Sequence, residues 1–393
     1  MSTTGRTATA APDAVAATLR EAPFVRILAA ADGDSVAASG VVARALDCPF
    51  QVSVTRTAAE RERRVAAVAD DHPSDAAATL VVGDDADGPA LAGRETPASV
   101  TAADVARELG ASPDPVLALA GVVAAGEMPG AGESASLLAA AEDRGLVERR
   151  PGVAVPTADL TDGLAHTTLV HADFSGDPTA AGAALADLDL PAERDETARR
   201  AVASLVAIAA SGGDDTPPRA AAAAERALRP YATPESPFAT LGGYADVLAT
   251  AAEAAPGTAV ALALGHDARD GALTAWRDAA ERAHRALREA TTGRYDGLFV
   301  ARYDAAPVAT TARLLRDFRS PEPVALVVGD GEAAAAAVDD RTIGAAMRAG
   351  ADAVGGEAGG DGHTGYARFD PDEDDGAASP DTKEFIAAFR GAL

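Results

Sequence analysis

The stretch FVRILAAADGDSVAASG, residues 24–40, joins a short apolar run to two aspartates and the start of a helical pattern. Phe24 to Ala30 is typical of a buried parallel strand. Asp32 and Asp34 follow its carboxyl end, and Ser35 to Leu46 has a helical pattern. In an open α/β sheet, ligands bind at this position. Paired carboxylates there can hold Mn²⁺ or Mg²⁺; the alternative is a solvated Asp-Gly turn that caps the helix.

Two further strand patterns extend this unit. Phe50 to Val54 and Thr79 to Val82 have the pattern of strands, and Ala58 to Val68 has that of a helix with an Arg/Glu face. This alternation predicts a doubly wound parallel sheet. Asp84 follows the third strand, so adjacent strands would bring it to the edge that carries the first two aspartates. Three carboxylates at one edge favour a bound cation; the alternative is an Asp-rich protein with aspartate in every loop.

A fourth carboxylate, Glu127, lies in Gly126-Glu127-Met128, directly after the apolar helix pattern at Val116 to Ala125. A carboxylate here can join the same edge of the sheet as a metal ligand. The alternative is an ordinary helix terminus with a solvated glutamate.

The C-terminal half predicts mostly helices over Leu137 to Pro230 and a second α/β unit from about Ser236. The predicted elements of that unit are a strand at 259–264, a helix at 272–290, and strands at 297–301 and 324–328. A glycine cluster follows at Gly355 to Gly365. Backbone amides of Gly359 and Gly360 can approach a phosphate closely. His363 can bind the same phosphate or lie in a plain turn.

The charge balance indicates a protein of molar salt. Acidic residues number 60 against 34 basic ones, the formal net charge is -26, and Lys383 is the only lysine. Such a chain repels itself in dilute buffer, and molar salt screens that repulsion. An acidic protein of a GC-rich mesophile is the alternative. Nonspecific coating of DNA is disfavoured, because phosphate contacts need clustered Arg or Lys.

Cysteine usage and hydropathy limit the class further. Cys48 is the only cysteine, so neither a disulfide framework nor a Cys-based zinc site is expected. The first twenty residues lack the apolar core of a signal peptide. No apolar run reaches the ~18 residues of a membrane span. We expect a cytoplasmic protein without a membrane partner.

Taken in order, these features resemble the RecJ/DHH family of phosphoesterases in its archaeal form. The family opens with a strand and His-x-Asp-Ala-Asp-Gly. Asp32 and Asp34 fall on its two aspartates, whereas Ala30 replaces the histidine and Ser35 the glycine. Asp84 matches the aspartate that closes a later family strand, and the segment around Glu127 is similar to a family Gly-Asp-Met.

The C-terminal half is similar to the DHH-associated domain. Residues 236–241 (SPFATL) look like its opening segment, and Gly355 to Phe369 looks like its closing glycine-rich segment, with Asp361 at the histidine position. The resemblance implies a two-lobed α/β fold. Its predicted parts are a disordered tail at residues 1–20, an N-terminal doubly wound parallel-sheet DHH-like domain at 21–145, a helical connector at 146–235 and a C-terminal α/β DHH-associated domain at 236–393.

The departures from the family concern its metal ligands. The family's Asp-His-His motif ends a fourth strand, yet residues 85–100 contain neither an apolar strand pattern nor a histidine. The resemblance implies hydrolysis of a phosphodiester by two Mn²⁺ or Mg²⁺ ions. Without imidazole ligands, the predicted metal-binding residues are left to hold a single ion; they are Asp32, Asp34, Asp84 and Glu127.

The predicted function is therefore a RecJ-like relative of single-stranded DNA exonucleases whose two-metal site is degraded. We expect a noncatalytic or weakly active scaffold in DNA replication or repair. Single-stranded nucleic acid and a GINS-like replication protein are the partners that the resemblance implies. The alternatives are an active Mn²⁺-dependent phosphoesterase that cleaves single-stranded DNA or short oligonucleotides, and an unrelated α/β binding protein.

Overall fold

The computed structural model describes residues 11–71, 77–191, 195–213, 216–369 and 382–393. Residues 1–10 of the predicted tail lie outside this part of the chain, and so do residues 371–381, whose sequence predicts an acidic loop. The described residues form both helices and strands, which confirms the predicted α/β fold class.

The first 149 residues contain six helices and five strands within the described ranges. In chain order they are α1 (Pro12–Glu21), β1 (Val25–Ala30), α2 (Gly33–Ala43), β2 (Phe50–Thr55), α3 (Ala58–Asp71), β3 (Ala78–Val82), β4 (Ala90–Leu91), α4 (Ala98–Glu108), α5 (Pro115–Ala124), α6 (Ala135–Asp143) and β5 (Glu148–Arg149).

The remaining described elements begin with a helical stretch and end with a second sheet. They are α7 (Leu160–His166), α8 (Pro178–Ala186), α9 (Glu196–Ser211), α10 (Arg219–Arg226), β6 (Tyr231–Ala232), α11 (Leu241–Ala254), α12 (Pro256–Ala263), α13 (Arg269–Glu289), β7 (Thr291–Tyr295), β8 (Leu298–Arg302), α14 (Val308–Phe318), β9 (Val324–Val328), β10 (Glu332–Ala337), α15 (Ile343–Ala353), β11 (Glu357–Gly360), β12 (Thr364–Arg368) and α16 (Thr382–Ala392).

The first compact unit comprises residues up to Arg56, Arg61–Glu148 and Ala232–Leu273. Its sheet has the order β2-β1-β3-β4, with every neighbouring pair parallel. Apart from Arg26 and Thr79, the central strands β1 and β3 consist of apolar residues, which favours a buried parallel sheet. Helix α2 is buried along its whole length, because α4, α5, α11 and α12 pack around it.

The second compact unit comprises Thr57–Glu60, Arg149–Tyr231 and Thr274–Leu393. Its six-stranded sheet has the order β11-β12-β10-β9-β8-β7, and only the β8–β9 pair is parallel. Successive residues of β9 alternate between two apolar clusters, one on each face of the sheet. The chain leaves the first unit after Glu148 and returns to it over Ala232–Leu273, whereas the resemblance groups residues from 236 onward with the C-terminal domain.

Four local predictions need correction. Residues 12–20 of the predicted disordered tail form most of α1, because Pro12 begins a helix whose Val15, Ala16 and Leu19 are buried. The predicted strand at 259–264 lies mostly in α12, which also begins at a proline. The sequence predicts a helix that begins at Thr101, whereas α4 begins at Ala98.

The fourth correction concerns the strand that was predicted to be missing. Ala90–Leu91 forms β4 and pairs in parallel with Val81 and Val82 of β3. A strand of two residues is too short to produce a recognisable apolar run in the sequence. The family's fourth strand therefore has a counterpart here, and the segment that follows it begins at Ala92 and Gly93.

Candidate functional site

The carboxyl ends of β1 and β3 bring three predicted aspartates to one edge of the first sheet. The parallel register pairs Ala29 of β1 with Val82 of β3. The backbone is close here, because a Cβ on Gly83 would lie 2.8 Å from the Cβ of Ala30 and 2.2 Å from the Oγ of Ser35. Gly83 has φ +88°, so glycine is required on both counts. The predicted shared edge is confirmed.

Asp32 caps helix α2. Its Oδ1 accepts the backbone N–H of Ser35 at 2.8 Å, and its Oδ2 accepts the Ser35 hydroxyl at 2.8 Å. Burial raises the pKa of Asp32, while these hydrogen bonds and the charge of Arg61 oppose that rise. Both carboxylate oxygens are therefore engaged within the protein.

Asp34 caps a different helix. Its Oδ2 accepts the backbone N–H of Ala98 at 2.6 Å and its Oδ1 accepts that of Ser99 at 3.0 Å, at the first turn of α4. Helix α5 passes so close that a Cβ on Gly121 would lie 2.9 Å from Asp34 Oδ1. Burial and the neighbouring Asp32 raise the pKa of Asp34 to about 7. This side chain joins the first turn of α2 to the first turn of α4.

Asp84 is held by two guanidinium groups. Arg61 Nη2 lies 3.0 Å from its Oδ2, and Arg94 Nη2 lies 3.4 Å from its Oδ1. Arg94 also contacts Asp85, with 3.2 Å between Nε and Oδ2. The backbone N–H of Asp85 donates to Asp84 Oδ1 at 2.9 Å. The cations beside this carboxylate are thus supplied by arginine side chains.

Arg61 is fixed more firmly than Arg94. It is only 5% exposed, and its Nη1 donates to the hydroxyl of Thr55 at 2.7 Å. That hydroxyl in turn donates to the carbonyl of Ala29 at 3.3 Å. Arg94 is 59% exposed along its side chain and follows β4, where the family carries its Asp-His-His motif. A buried guanidinium therefore connects the ends of β1, β2 and β3.

Sequence reasoning missed both arginines. Arg61 belongs to the Arg/Glu-rich helix α3, whose pattern reads as a solvated face, and Arg94 lies in a loop. The one available signal was the repulsion among three aspartates at one edge, which requires nearby positive charge. That requirement was assigned to a metal ion, whereas arginine satisfies it equally well in principle.

Glu127 lies beyond the carboxyl end of α5 and is exposed. Gly126 precedes it with φ +89° and ends the helical turn. Among the described residues, no group of three or more His, Cys, Asp or Glu side chains could hold a metal ion. The residues of this edge do not fit a two-metal centre, because each aspartate already has protein partners and arginines lie among them.

The predicted phosphate loop is a β-hairpin between β11 and β12. Gly359 and Gly360 belong to β11, opposite Tyr366 and Gly365. The exposed turn contains His363. The glycines therefore serve strand pairing within the hairpin.

The amides of that turn are occupied by a carboxylate of the same chain. Asp361 Oδ1 accepts the backbone N–H of His363 at 2.7 Å and that of Thr364 at 2.7 Å. The carbonyl of Gly362 accepts the N–H of Arg341, which ties the turn to the loop before α15. An Asx turn thus fills the position where the glycine-rich segment was expected to cradle a phosphate.

Within the described residues, no helix combines the length and apolarity needed to cross a membrane.

Two solved structures are similar to this chain. The crystal structure of CDC45 from Entamoeba histolytica superimposes with a TM-score of 0.55 at 8% identity, covering 96% of this chain and 97% of that chain. Exonuclease RecJ bound to manganese is a further structural relative, with a TM-score of 0.47, 13% identity and coverage of 98% of this chain and 94% of that one.

The chain belongs to the family of uncharacterized protein rrnAC1427 from Haloarcula marismortui. It is 50% identical to that protein over 400 residues, and the match covers 100% of both chains. The family model "Uncharacterized protein rrnAC1427, C-terminal domain" matches residues 290–391. The two proteins are thus similar over their whole lengths.

Proposed function

We propose that this protein is a noncatalytic RecJ-like scaffold in DNA replication or repair, working in molar salt. The observation that carries the proposal is the placement of Arg61 and Arg94 on Asp84, at the sheet edge where the family's metal ligands are expected. A RecJ relative that replaces metal ions by its own guanidinium groups keeps the fold without the hydrolytic centre.

The electrostatic cost of restoring a metal supports this reading. Two unit charges 4 Å apart interact by about 4 kcal/mol at an effective dielectric constant of 20, so a divalent ion near one guanidinium meets roughly twice that repulsion. The ion would also have to displace the backbone N–H groups of Ala98 and Ser99, which donate hydrogen bonds to Asp34 at the start of α4. Productive catalysis would need two such ions about 3.5–4 Å apart.

The second candidate site supports the same conclusion independently. Asp361 occupies the turn amides with a carboxylate, so an incoming phosphate would meet a like charge. Each of the two expected ligands therefore has an internal counterpart, a guanidinium for the metal and a carboxylate for the phosphate.

A nuclease assay tests the proposal. Labelled single-stranded DNA and short oligonucleotides are incubated with Mn²⁺ or Mg²⁺ in molar KCl, with wild type, the double variant Asp32→Ala/Asp34→Ala, and Asp84→Asn. Because both N-terminal aspartates cap helices, circular dichroism must first establish that each variant is folded. We expect no cleavage by any of them. Robust cleavage by the wild type that the variants lose would establish the active Mn²⁺-dependent phosphoesterase instead.

The proposed partners are a GINS-like replication protein and single-stranded nucleic acid held passively. The net charge of -26 disfavours broad contacts to phosphates and favours recognition by a protein. Sedimentation of the purified chain with a purified haloarchaeal GINS complex in molar KCl tests this partner. Separate sedimentation of the two at tens of micromolar would rule out this partner and leave the scaffold role to another.

A further inference from the structure

Helix α13 presents one polar face to the segment Thr157–Gly176, here called the latch segment. The face consists of Arg277, Glu281, His284 and Arg288, whose spacing of four, three and four residues places them on one side of the helix. All four lie in the second compact unit with the latch segment. Their contacts extend along most of the latch segment.

The contacts at the amino end of the latch segment involve the carboxylates of Asp162 and Glu281. Arg277 donates to both oxygens of Asp162, at 2.7 Å from Nε and 2.9 Å from Nη2. His166 lies beside the same carboxylate, with 3.1 Å between Nδ1 and Oδ1. The other ring nitrogen of His166 is 3.4 Å from Oε1 of Glu281. This end keeps carboxylates beside its histidine.

The carboxyl end of the latch segment is held by imidazole and guanidinium groups of α13. His284 Nε2 lies 3.0 Å from the carbonyl oxygen of Thr167, and His284 Nδ1 lies 3.0 Å from His171 Nδ1. Arg288 Nη1 donates to the carbonyl of Ser175 at 2.6 Å. A Cβ on Gly176 would lie 3.0 Å from the Cβ of His284, so the backbone passes directly over this imidazole.

The partners of His284 fix the protons of the pair. A carbonyl oxygen only accepts, so His284 Nε2 carries a hydrogen and its neutral ring leaves a lone pair on Nδ1. His171 must then donate its own Nδ1–H across the 3.0 Å gap. The two rings are nearly parallel, with 18° between their planes. The bond requires His284 to be neutral.

The groups facing this pair are arginines and histidines. Arg288 on α13 and Arg319 at the end of α14 face His171, while Arg288, Arg313 on α14 and the imidazole of His166 face His284. A metal ion is therefore disfavoured here, and the described residues hold no metal-ligand cluster. Desolvation is the largest cause of the lowered pKa of both imidazoles, which for His284 falls to about 3.

We propose that the His171–His284 pair is a proton-sensitive latch, which holds the latch segment on α13 while the pair is neutral and releases it on acidification. If a proton were added to His284 Nδ1, two N–H groups would face each other across 3.0 Å and the hydrogen bond would be lost. A proton on His171 Nε2 would keep the bond but bury a cation among arginines. Molar salt screens the arginines, yet it neither restores the hydrogen bond nor removes the desolvation.

The sign of the effect follows from linkage. Because the closed latch lowers the imidazole pKa, its stability is fully present above the open-state value of about 6.5 and is lost as pH falls towards the closed-state value. For His284, with a closed value of about 3, acidification to pH 5 lowers the closed-to-open ratio about 30-fold.

The chain carries its own reporter for this change. Trp276 is the only tryptophan, is fully buried and packs edge-on against His166 with ring centroids 5.6 Å apart. Its fluorescence reports on the amino end of the latch segment. Hydrogen exchange of the backbone amides at 167–176 reports on the carboxyl end.

The experiment follows both signals from pH 8 to pH 4.5 in molar KCl, with circular dichroism monitoring the whole fold. We expect exchange at 167–176 to accelerate between pH 6.5 and 5, after correction for intrinsic exchange, before the fold is lost. The glutamine of His171→Gln keeps a neutral hydrogen-bond donor but does not titrate. In this variant, the acceleration of exchange at 167–176 should therefore occur at lower pH and be coupled to the uptake of fewer protons. His363 is exposed, so His363→Gln is the control. Its exchange at 167–176 should depend on pH as in wild type.

His166→Gln separates the remaining histidine of the cluster. It should alter the pH dependence of Trp276 emission while leaving the exchange transition at 167–176 in place. Unchanged corrected exchange between pH 7.5 and 5, or an identical transition in wild type and His171→Gln, would overturn the latch. The scaffold proposal stands or falls separately, since it is tested by nuclease activity.

Discussion

Replacing Arg61 with alanine perturbs the centre of the candidate site. Arg61 is 5% exposed and joins Thr55 to Asp84 through donors at 2.7 Å and 3.0 Å. Its removal leaves Asp84 with the longer 3.4 Å contact to Arg94 and with the Asp85 amide. Thr55 keeps only its contact to a backbone carbonyl.

The magnitude follows from the burial of the two partners. Removing one partner of a buried ion pair costs about 3–5 kcal/mol. Asp84 is 26% exposed along its side chain, so water replaces part of the lost interaction and places the value at the low end, about 3 kcal/mol. At roughly 2–4 °C per kcal/mol for a domain of about 150–250 residues, the melting midpoint should fall by about 6–12 °C.

Urea titration in molar KCl measures the loss without changing the ionic strength. Arg64→Ala is the matched control, because Arg64 lies on the same helix and is exposed. A double-mutant cycle with Asp84→Asn isolates the pair itself. A loss of free energy no larger than that of Arg64→Ala, or a coupling energy near zero, would refute the assignment of Arg61 as the internal cation of this site.

Three further outcomes are expected. The thermal midpoint of the wild type should rise from dilute buffer to molar KCl, because salt screens a net charge of -26; an equal midpoint in both would contradict a salt-adapted surface. Burial raises the pKa of Asp34 from 3.8 to about 7, so its contribution to stability is fully present below pH 3.8 and is lost as pH rises through 7. Urea titrations of Asp34→Asn should therefore show a flatter decline of stability across this range than wild type, and parallel curves would contradict it. Asp361→Ala frees the amides of His363 and Thr364, so phosphate titrations followed by NMR should shift these amides in the variant alone; equal shifts in wild type would show that the carboxylate does not block the turn.

The long parallel strands of the first sheet were predictable because apolar runs of five or six residues are confined to buried strands or buried helices. The same rule explains the error at residues 259–264, where an Ala-rich run after Pro256 forms α12. Periodicity alone does not separate the two cases. A proline at the start of a helix was the signal that could have decided it.

The shortest elements escaped prediction for a physical reason. Strand β4 has two residues, and its existence depends on pairing with β3 rather than on its own pattern. Helix α1 had a readable pattern, with Pro12 at its start and Val15 and Leu19 four residues apart. The Ala- and Thr-rich composition of residues 1–20 is also typical of a disordered tail, so composition and pattern predict different structures here.

In the candidate site, the positions of the aspartates could be predicted from the sequence, but their partners could not. The positions of Asp32, Asp34 and Asp84 follow from strand ends, which sequence patterns locate well. The partners of these side chains depend on where α3 packs and on the path of the loop after β4. Arg61 and Arg94 lie 23 and 10 residues from Asp84 in the chain, so only the folded structure brings them together.

The return of the chain to the first unit sets the order in which that unit can be completed during synthesis. Helix α2 is covered partly by α11 and α12, and the packing is so close that a Cβ on Gly40 would lie 2.5 Å from the carbonyl oxygen of Ala263. When the ribosome has delivered residue 231, these two helices do not yet exist. The apolar surface of α2 therefore stays uncovered while the intervening helices emerge, and the nascent protein depends on prompt synthesis or on a chaperone through that interval.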